Sequence, residues 1–106
     1  MNDYLVECCA NSIQSAIQGK LGGANRIELC TNLEVGGMTP SREDIATLME
    51  RINIPIRILF RPHSNNFMYS KSELSQIISD IHFCKKIGVE GVVIGGLNMN
   101  GSVNKE

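Results

Sequence analysis

The chain has 106 residues, ten Lys and Arg against eleven Asp and Glu, and a formal net charge of −1. One domain's length without excess positive charge argues against a polyanion-binding protein, because no basic excess exists to displace counterions from phosphates. Apolar residues make up 42% and charged residues 20%, ordinary globular usage that supports a core and excludes intrinsic disorder.

Met1-Asn2-Asp3-Tyr4 has neither a basic nor an apolar leader character, so a soluble cytoplasmic protein is expected. Leu5 to Ala10 is a short apolar run that reads as a strand. Asn11-Ser12 supplies a cap for the helix that follows. Ile13, Ala16, Ile17 and Leu21 recur on one helical face, and Gly22-Gly23 ends it. Arg26 to Thr31 is a second strand, and Asn32 to Thr39 is a loop containing Gly36-Gly37.

Thr39-Pro40-Ser41 opens a second helix, with Asp44 three residues after Ser41 and Ile45, Leu48, Met49 and Ile52 on its apolar face. Pro55 precedes a third strand, Ile56 to Arg61, which Pro62 closes. Ser70-Lys71-Ser72-Glu73 fits a capping box. Leu74, Ile77, Ile78, Ile81 and Cys84 carry a third apolar stripe towards Gly88. Gly91 to Leu97 is a fourth, β-branched strand whose apolar run is far short of the ~20 residues that cross a bilayer. The order is β-α-β-α-β-α-β. Strands buried on both faces and joined by helices predict a parallel sheet. The sheet is either an open doubly wound one or part of a (β/α)₈ barrel, whose complete form takes about 250 residues.

The four cysteines, Cys8, Cys9, Cys30 and Cys84, contain no CxxC pair, which argues against a zinc knot. In a reducing compartment they remain thiols. Glu7-Cys8-Cys9 and Glu28-Leu29-Cys30 repeat Glu-x-Cys near two strand ends. Alternation puts Glu7 with Cys9 and Glu28 with Cys30, and turns Cys8 to the helix side. On neighbouring parallel strands Cys9 and Cys30 approach each other at the carboxyl ends, where α/β folds keep their ligand sites. Two thiols there suit Cu(I). Two carboxylates suit an acid and a base with separated pKa values. Simple packing of small thiols is the commoner explanation of such cysteines.

The glutamates need partners if buried, and Arg26, Arg57 or Arg61 can supply them. Arg61, at the third strand's end, is placed near Glu28, either as a salt bridge or as an anion-binding group. His63 reads as a solvated loop residue and His82 as structural. No GxGxxG or GxxxxGK[ST] phosphate loop occurs. Asn100-Gly101-Ser102 matches a glycosylation sequon without meaning in a cytosolic chain.

Val6-Glu7-Cys8-Cys9, Gly23-Ala24-Asn25-Arg26-Ile27-Glu28-Leu29-Cys30, Gly36-Gly37-Met38-Thr39-Pro40-Ser41, Arg61-Pro62 and Phe67-Met68-Tyr69-Ser70 together resemble the CutC family, described as copper-homeostasis proteins. The closing Gly101 to Glu106 also fits. The resemblance implies a (β/α)₈ barrel of more than twice this length, with this chain as its N-terminal half and a single incomplete domain, 1–106. It further implies a cytoplasmic homo-oligomer that binds Cu(I) through residues corresponding to Cys9 and Cys30.

The chain departs from the family where Arg-Pro-Arg-Gly-Gly-Asp-Phe is common. It reads Arg61-Pro62-His63-Ser64-Asn65-Asn66-Phe67, without the acidic residue at Asn66. Half a barrel has two unpaired sheet edges, which predicts low stability alone or completion by dimerising. Two functions follow. One is Cu(I) homeostasis through Cys9 and Cys30, with Glu7, Glu28 and Arg61 around the ion. The other is a barrel enzyme acting on a small anionic metabolite, with Glu7 or Glu28 as base and Arg61 holding the anion. A truncated chain with no activity of its own is the remaining alternative. No nucleic acid or membrane partner is expected.

Overall fold

A computed structural model describes residues 5–96 and residue 102. The leading four residues, Leu97 and the sequon positions Asn100 and Gly101 lie outside them. Four strands, β1 (Glu7–Ala10), β2 (Arg26–Leu29), β3 (Ile56–Phe60) and β4 (Gly91–Ile94), alternate with three helices, α1 (Ile13–Leu21), α2 (Arg42–Arg51) and α3 (Lys71–Ile87). All neighbouring strands are parallel and their order is β1-β2-β3-β4. Sequential order distinguishes the two architectures. A doubly wound sheet reverses at a switch point and places helices on both faces, whereas this sheet never reverses, and α1, α2 and α3 pack side by side as successive neighbours. It has the course of a barrel wall.

The helices begin where the sequence places them. Ser12 and Ser70 each form a reciprocal capping box, with Ser15 and Glu73 respectively, and the Ser41 hydroxyl accepts from the Asp44 N–H. These bonds satisfy amide donors that lack partners in the first turn. Gly88 closes α3 in the left-handed region at φ 89°, where a side chain would be strained.

Ala10, Ile27, Leu29, Ile56, Ile58 and Phe60 are all buried on the helix side, against Ala16, Ile45, Leu48, Ile77 and Cys84. This core contains no charged side chain among the described residues. The opposite sheet face carries Glu7, Cys9, Arg26, Glu28 and Arg57, with Glu7, Cys9 and Glu28 on one side as the alternation predicts. Two stripe residues depart from the reading. Ile78 is 56% exposed because Ile77 takes the core position and the next residue lies about 100° round the helix. Leu21, on the last turn of α1, is exposed.

Cys8 points to α1, as alternation requires. A Cβ built on Gly19 would stand 2.6 Å from Cys8 Sγ and 3.1 Å from its Cβ, so this helix position must be bare for α1 to reach the sheet. Gly19→Ala is expected to destabilise the chain by about 1–3 kcal/mol through overpacking, although alanine is the better helix former. Cys8→Ala in the same chain should recover most of that loss in urea unfolding. Additive costs would contradict the contact.

Candidate site on the polar sheet face

The strand register lays the polar face out in rows. Glu7 stands beside Arg26, and Cys9 beside Glu28, which in turn stands beside Arg57. Because partners in a parallel pair share a face, these residues meet where apolar residues would otherwise be. Arg26 Nε donates to Glu7 Oε2 in an ion pair whose side chains are only 21% and 26% exposed. Cys9 Sγ donates to Glu28 Oε2 at 3.6 Å. Ligand atoms of Glu7, Cys9 and Glu28 all lie within 4.8 Å of one another.

This crowding sets the protonation of each group. The Arg26 guanidinium bonded to Glu7 holds that carboxyl below its ordinary value. Burial, followed by the neighbouring Glu7 charge, pushes Glu28 up. Burial also raises the Cys9 thiol, reinforced by Glu28, and it raises the Cys30 thiol with help from the same carboxylate. Two touching carboxyls are therefore moved in opposite directions, one towards a base and the other towards an acid.

Cys30 follows the end of β2 and is 3% exposed. Its N–H still bonds to Ala10 O at 3.0 Å, and its thiol donates to the same carbonyl at 3.6 Å. Cys30 lies outside the close trio, yet its charge is felt at Cys9. Cys9 is solvent-exposed whereas Cys30 is covered.

The arginines divide differently from the sequence reading. Arg26 takes Glu7. Arg57 crosses Gly91, where a Cβ would stand 3.3 Å from its Nε, and reaches Glu90 at 2.9 Å. Arg61 makes no ion pair with Glu28 among the described residues. Its guanidinium instead donates to the carbonyls of Val35, Gly37 and Ser64. Glu28 thus has no ion-pair partner within the described residues.

His63 is a correction. It is not a solvated loop residue, because its side chain is only 24% exposed. Its Nε2 lies 3.2 Å from both Met68 O and Glu73 Oε2, and its ring meets Tyr69 edge-on at 5.2 Å. Glu73 thereby caps α3 and faces His63 at once, a double role that the capping-box spacing alone does not reveal. His82 lies on the exposed side of α3. Cys84, buried in the core with its thiol pushed up to about 11 by burial, is a packing residue.

The sign of the Glu28 shift gives a stability test. A carboxyl raised in the folded state contributes stability below its unfolded value and loses it as pH climbs through the folded value. Glu28→Gln is therefore expected to stabilise the chain near neutral pH by roughly 0.5–1 kcal/mol. In urea melts the gap should close as pH falls below the ordinary carboxylate range. A less stable variant at neutral pH would contradict the assignment.

Comparison with known proteins is consistent with this geometry. The sequence pattern of the CutC family matches residues 4–106. The chain is 38% identical over 105 residues to the human copper homeostasis protein cutC homolog, covering 99% of this chain and 38% of that protein. It is 39% identical over 105 residues to a CutC family protein of Bacteroides fragilis, covering 98% and 42% respectively. The crystal structure of CutC from Streptococcus agalactiae superposes with a TM-score of 0.84 at 30% identity, over 94% of this chain and 49% of that one. That protein is a TIM barrel, so the four strands described here correspond to about half of a (β/α)₈ wall. The chain thus spans less than half the length of the relatives it matches, and by sequence and by fold it belongs to the CutC family.

Proposed function

We propose that this chain contributes the Cu(I) site of a copper homeostasis protein, with Cys9 and Cys30 as the thiolate ligands at the carboxyl ends of β1 and β2. The observation that carries the reading is the exposed Cys9 thiol within 4.8 Å of two carboxylates, with a second thiol on the same face. Soft thiolates select Cu(I), while carboxylates prefer harder ions. Glu7 and Glu28 then orient the site and balance its charge, and Arg26 fixes Glu7. The close trio supplies one thiol, so the fit to Cu(I) depends on Cys30 joining Cys9. Both thiols are raised above their ordinary values, so binding must release protons and strengthen as pH rises. The human relative carries copper homeostasis in its name, which supports the cargo.

All four cysteines are free, in keeping with a reducing cytoplasmic setting. No helix among the described residues is long and apolar enough to cross a membrane. β1 and β4 form the two edges of the described sheet, and Val92 and Ile94 on β4 are 37% and 51% exposed. At either edge a further strand can pair, from a longer chain or from a second copy, and homo-oligomerisation belongs to the proposal on the family's account.

A second reading is favoured by the opposite shifts of Glu7 and Glu28. In it the pair performs acid–base chemistry on a small anionic metabolite, Glu7 as base and Glu28 as acid. Arg61, whose guanidinium holds three carbonyls, then shapes the anion's surroundings through the loops it ties.

Anaerobic Cu(I) titration against a chromogenic chelator separates the readings. The native chain is expected to bind one copper, and Cys9→Ser with Cys30→Ser should weaken binding by at least about a hundredfold, roughly 2.7 kcal/mol. Unchanged affinity in the double variant would overturn the ligand assignment. Glu28→Gln should retain copper; if it abolished turnover of a metabolite instead, the acid–base reading would stand.

A further inference from the structure

We infer that Arg61 is a positioning residue that latches the 32–38 loop over the Cys30 thiol, so that this thiol becomes accessible only when the loop lifts. The inference concerns access to Cys30, and its bearing on copper rests on the reading proposed above.

The loop leaves β2 and returns to the same point. Thr31 N–H donates to Met38 O at 2.9 Å, and Met38 N–H donates to Thr31 O at 2.7 Å. Between them Gly37 adopts φ 97° and lies flat on the sheet. A Cβ there would stand 2.8 Å from Leu59 Cδ2 and 3.6 Å from Cys30 Sγ. Only glycine combines this conformation with so close an approach. The loop is therefore the cover that leaves Cys30 buried while Cys9 remains exposed.

The loop's own side chains do little to hold it there. Leu33 and Val35 are 41% and 42% exposed and neither packs on the buried core, so the loop's apolar tie to the fold is only partial. Arg61 supplies the main tie. Its Nη1 donates to Val35 O at 2.6 Å and Gly37 O at 3.2 Å, and its Nη2 donates to Ser64 O at 3.1 Å. Its guanidinium stacks on Phe67, 4.9 Å from the ring centroid. Thr39 anchors its backbone by accepting from Arg61 N–H at 2.7 Å and donating to Arg61 O at 3.1 Å.

One cation thus joins the β2–α2 loop to the β3–α3 loop. A planar fork with several donors can grip carbonyls in two directions, which a single ammonium does less well. Hydrogen bonds from a charged donor are also stronger than neutral ones. In the copper reading, Cys9 receives the ion first and Cys30 completes the site when the loop lifts.

The test is site-resolved labelling of the native chain, Arg61→Lys and Arg61→Met with N-ethylmaleimide, each cysteine followed by peptide mass spectrometry. Cys30 labelling is expected to be at least about tenfold faster in Arg61→Met and intermediate in Arg61→Lys, with Cys84 unchanged in both. Gly37→Ala, which keeps the arginine but strains the loop where Arg61 grips it, should also accelerate Cys30. An unchanged Cys30 rate in Arg61→Met would overturn the inference. So would a parallel rise at Cys84, which would make Arg61 a support of the whole fold. No copper is present in this experiment, so its failure leaves the metal reading untouched, and failure of the copper titration leaves the latch untouched.

Discussion

Side-chain alternation across a sheet whose strands run in sequence order is the constraint on which the rest depends. Right-handed crossovers between successive parallel neighbours put every helix on one face. That face must be apolar, and Ile27, Leu29, Ile56, Ile58 and Phe60 make it so. Every second residue then faces the other way, whatever its chemistry. Glu7, Cys9, Arg26, Glu28 and Arg57 are brought together by this parity and by the register Glu7 to Arg26 and Cys9 to Glu28 to Arg57. The crowded polar site is thus a geometric consequence of the core on the opposite side.

Once assembled, the site carries uneven electrostatics. The ion pair with Arg26 stabilises ionised Glu7, and that charge falls on Glu28, which has no cation of its own among the described residues. The thiols are affected in turn, since Glu28 opposes deprotonation of both Cys9 and Cys30. A metal cation would relieve that opposition by supplying positive charge where carboxylates and thiolates repel one another. A proton shared between the two carboxyls would relieve it in another way, so the two proposed readings draw on the same residues. Arg61 stands apart from this balance, with its charge committed to loop carbonyls.

Much of the architecture was legible because it rests on local chemistry. Ser12, Ser41 and Ser70 mark helix starts through hydrogen bonds that span three residues, and Gly88 marks an end through its backbone conformation. The Glu-x-Cys repeat carried the facing of Glu7, Cys9 and Cys8 because strand period is two. Residues whose partners lie in other loops were less legible. Arg61 sits at a strand end, but nothing local says that the carbonyls of Val35, Gly37 and Ser64 will claim it before Glu28 does. His63 has no local sign of its partner, because Glu73 lies in the next helix's capping box, which is complete without the imidazole. Gly19 carried no signal of its closeness to Cys8, since the contact depends on how near α1 approaches the sheet.

In the proposed copper site the polar face surrounds the ion with thiols rather than carboxylates alone, and X-ray absorption at the copper edge of the Cu(I)-loaded chain distinguishes the two. Sulfur neighbours are expected in the native chain, replaced by oxygen or nitrogen when Cys9 and Cys30 are both serine. Oxygen and nitrogen alone in the native chain, or sulfur retained in the double variant, would contradict it.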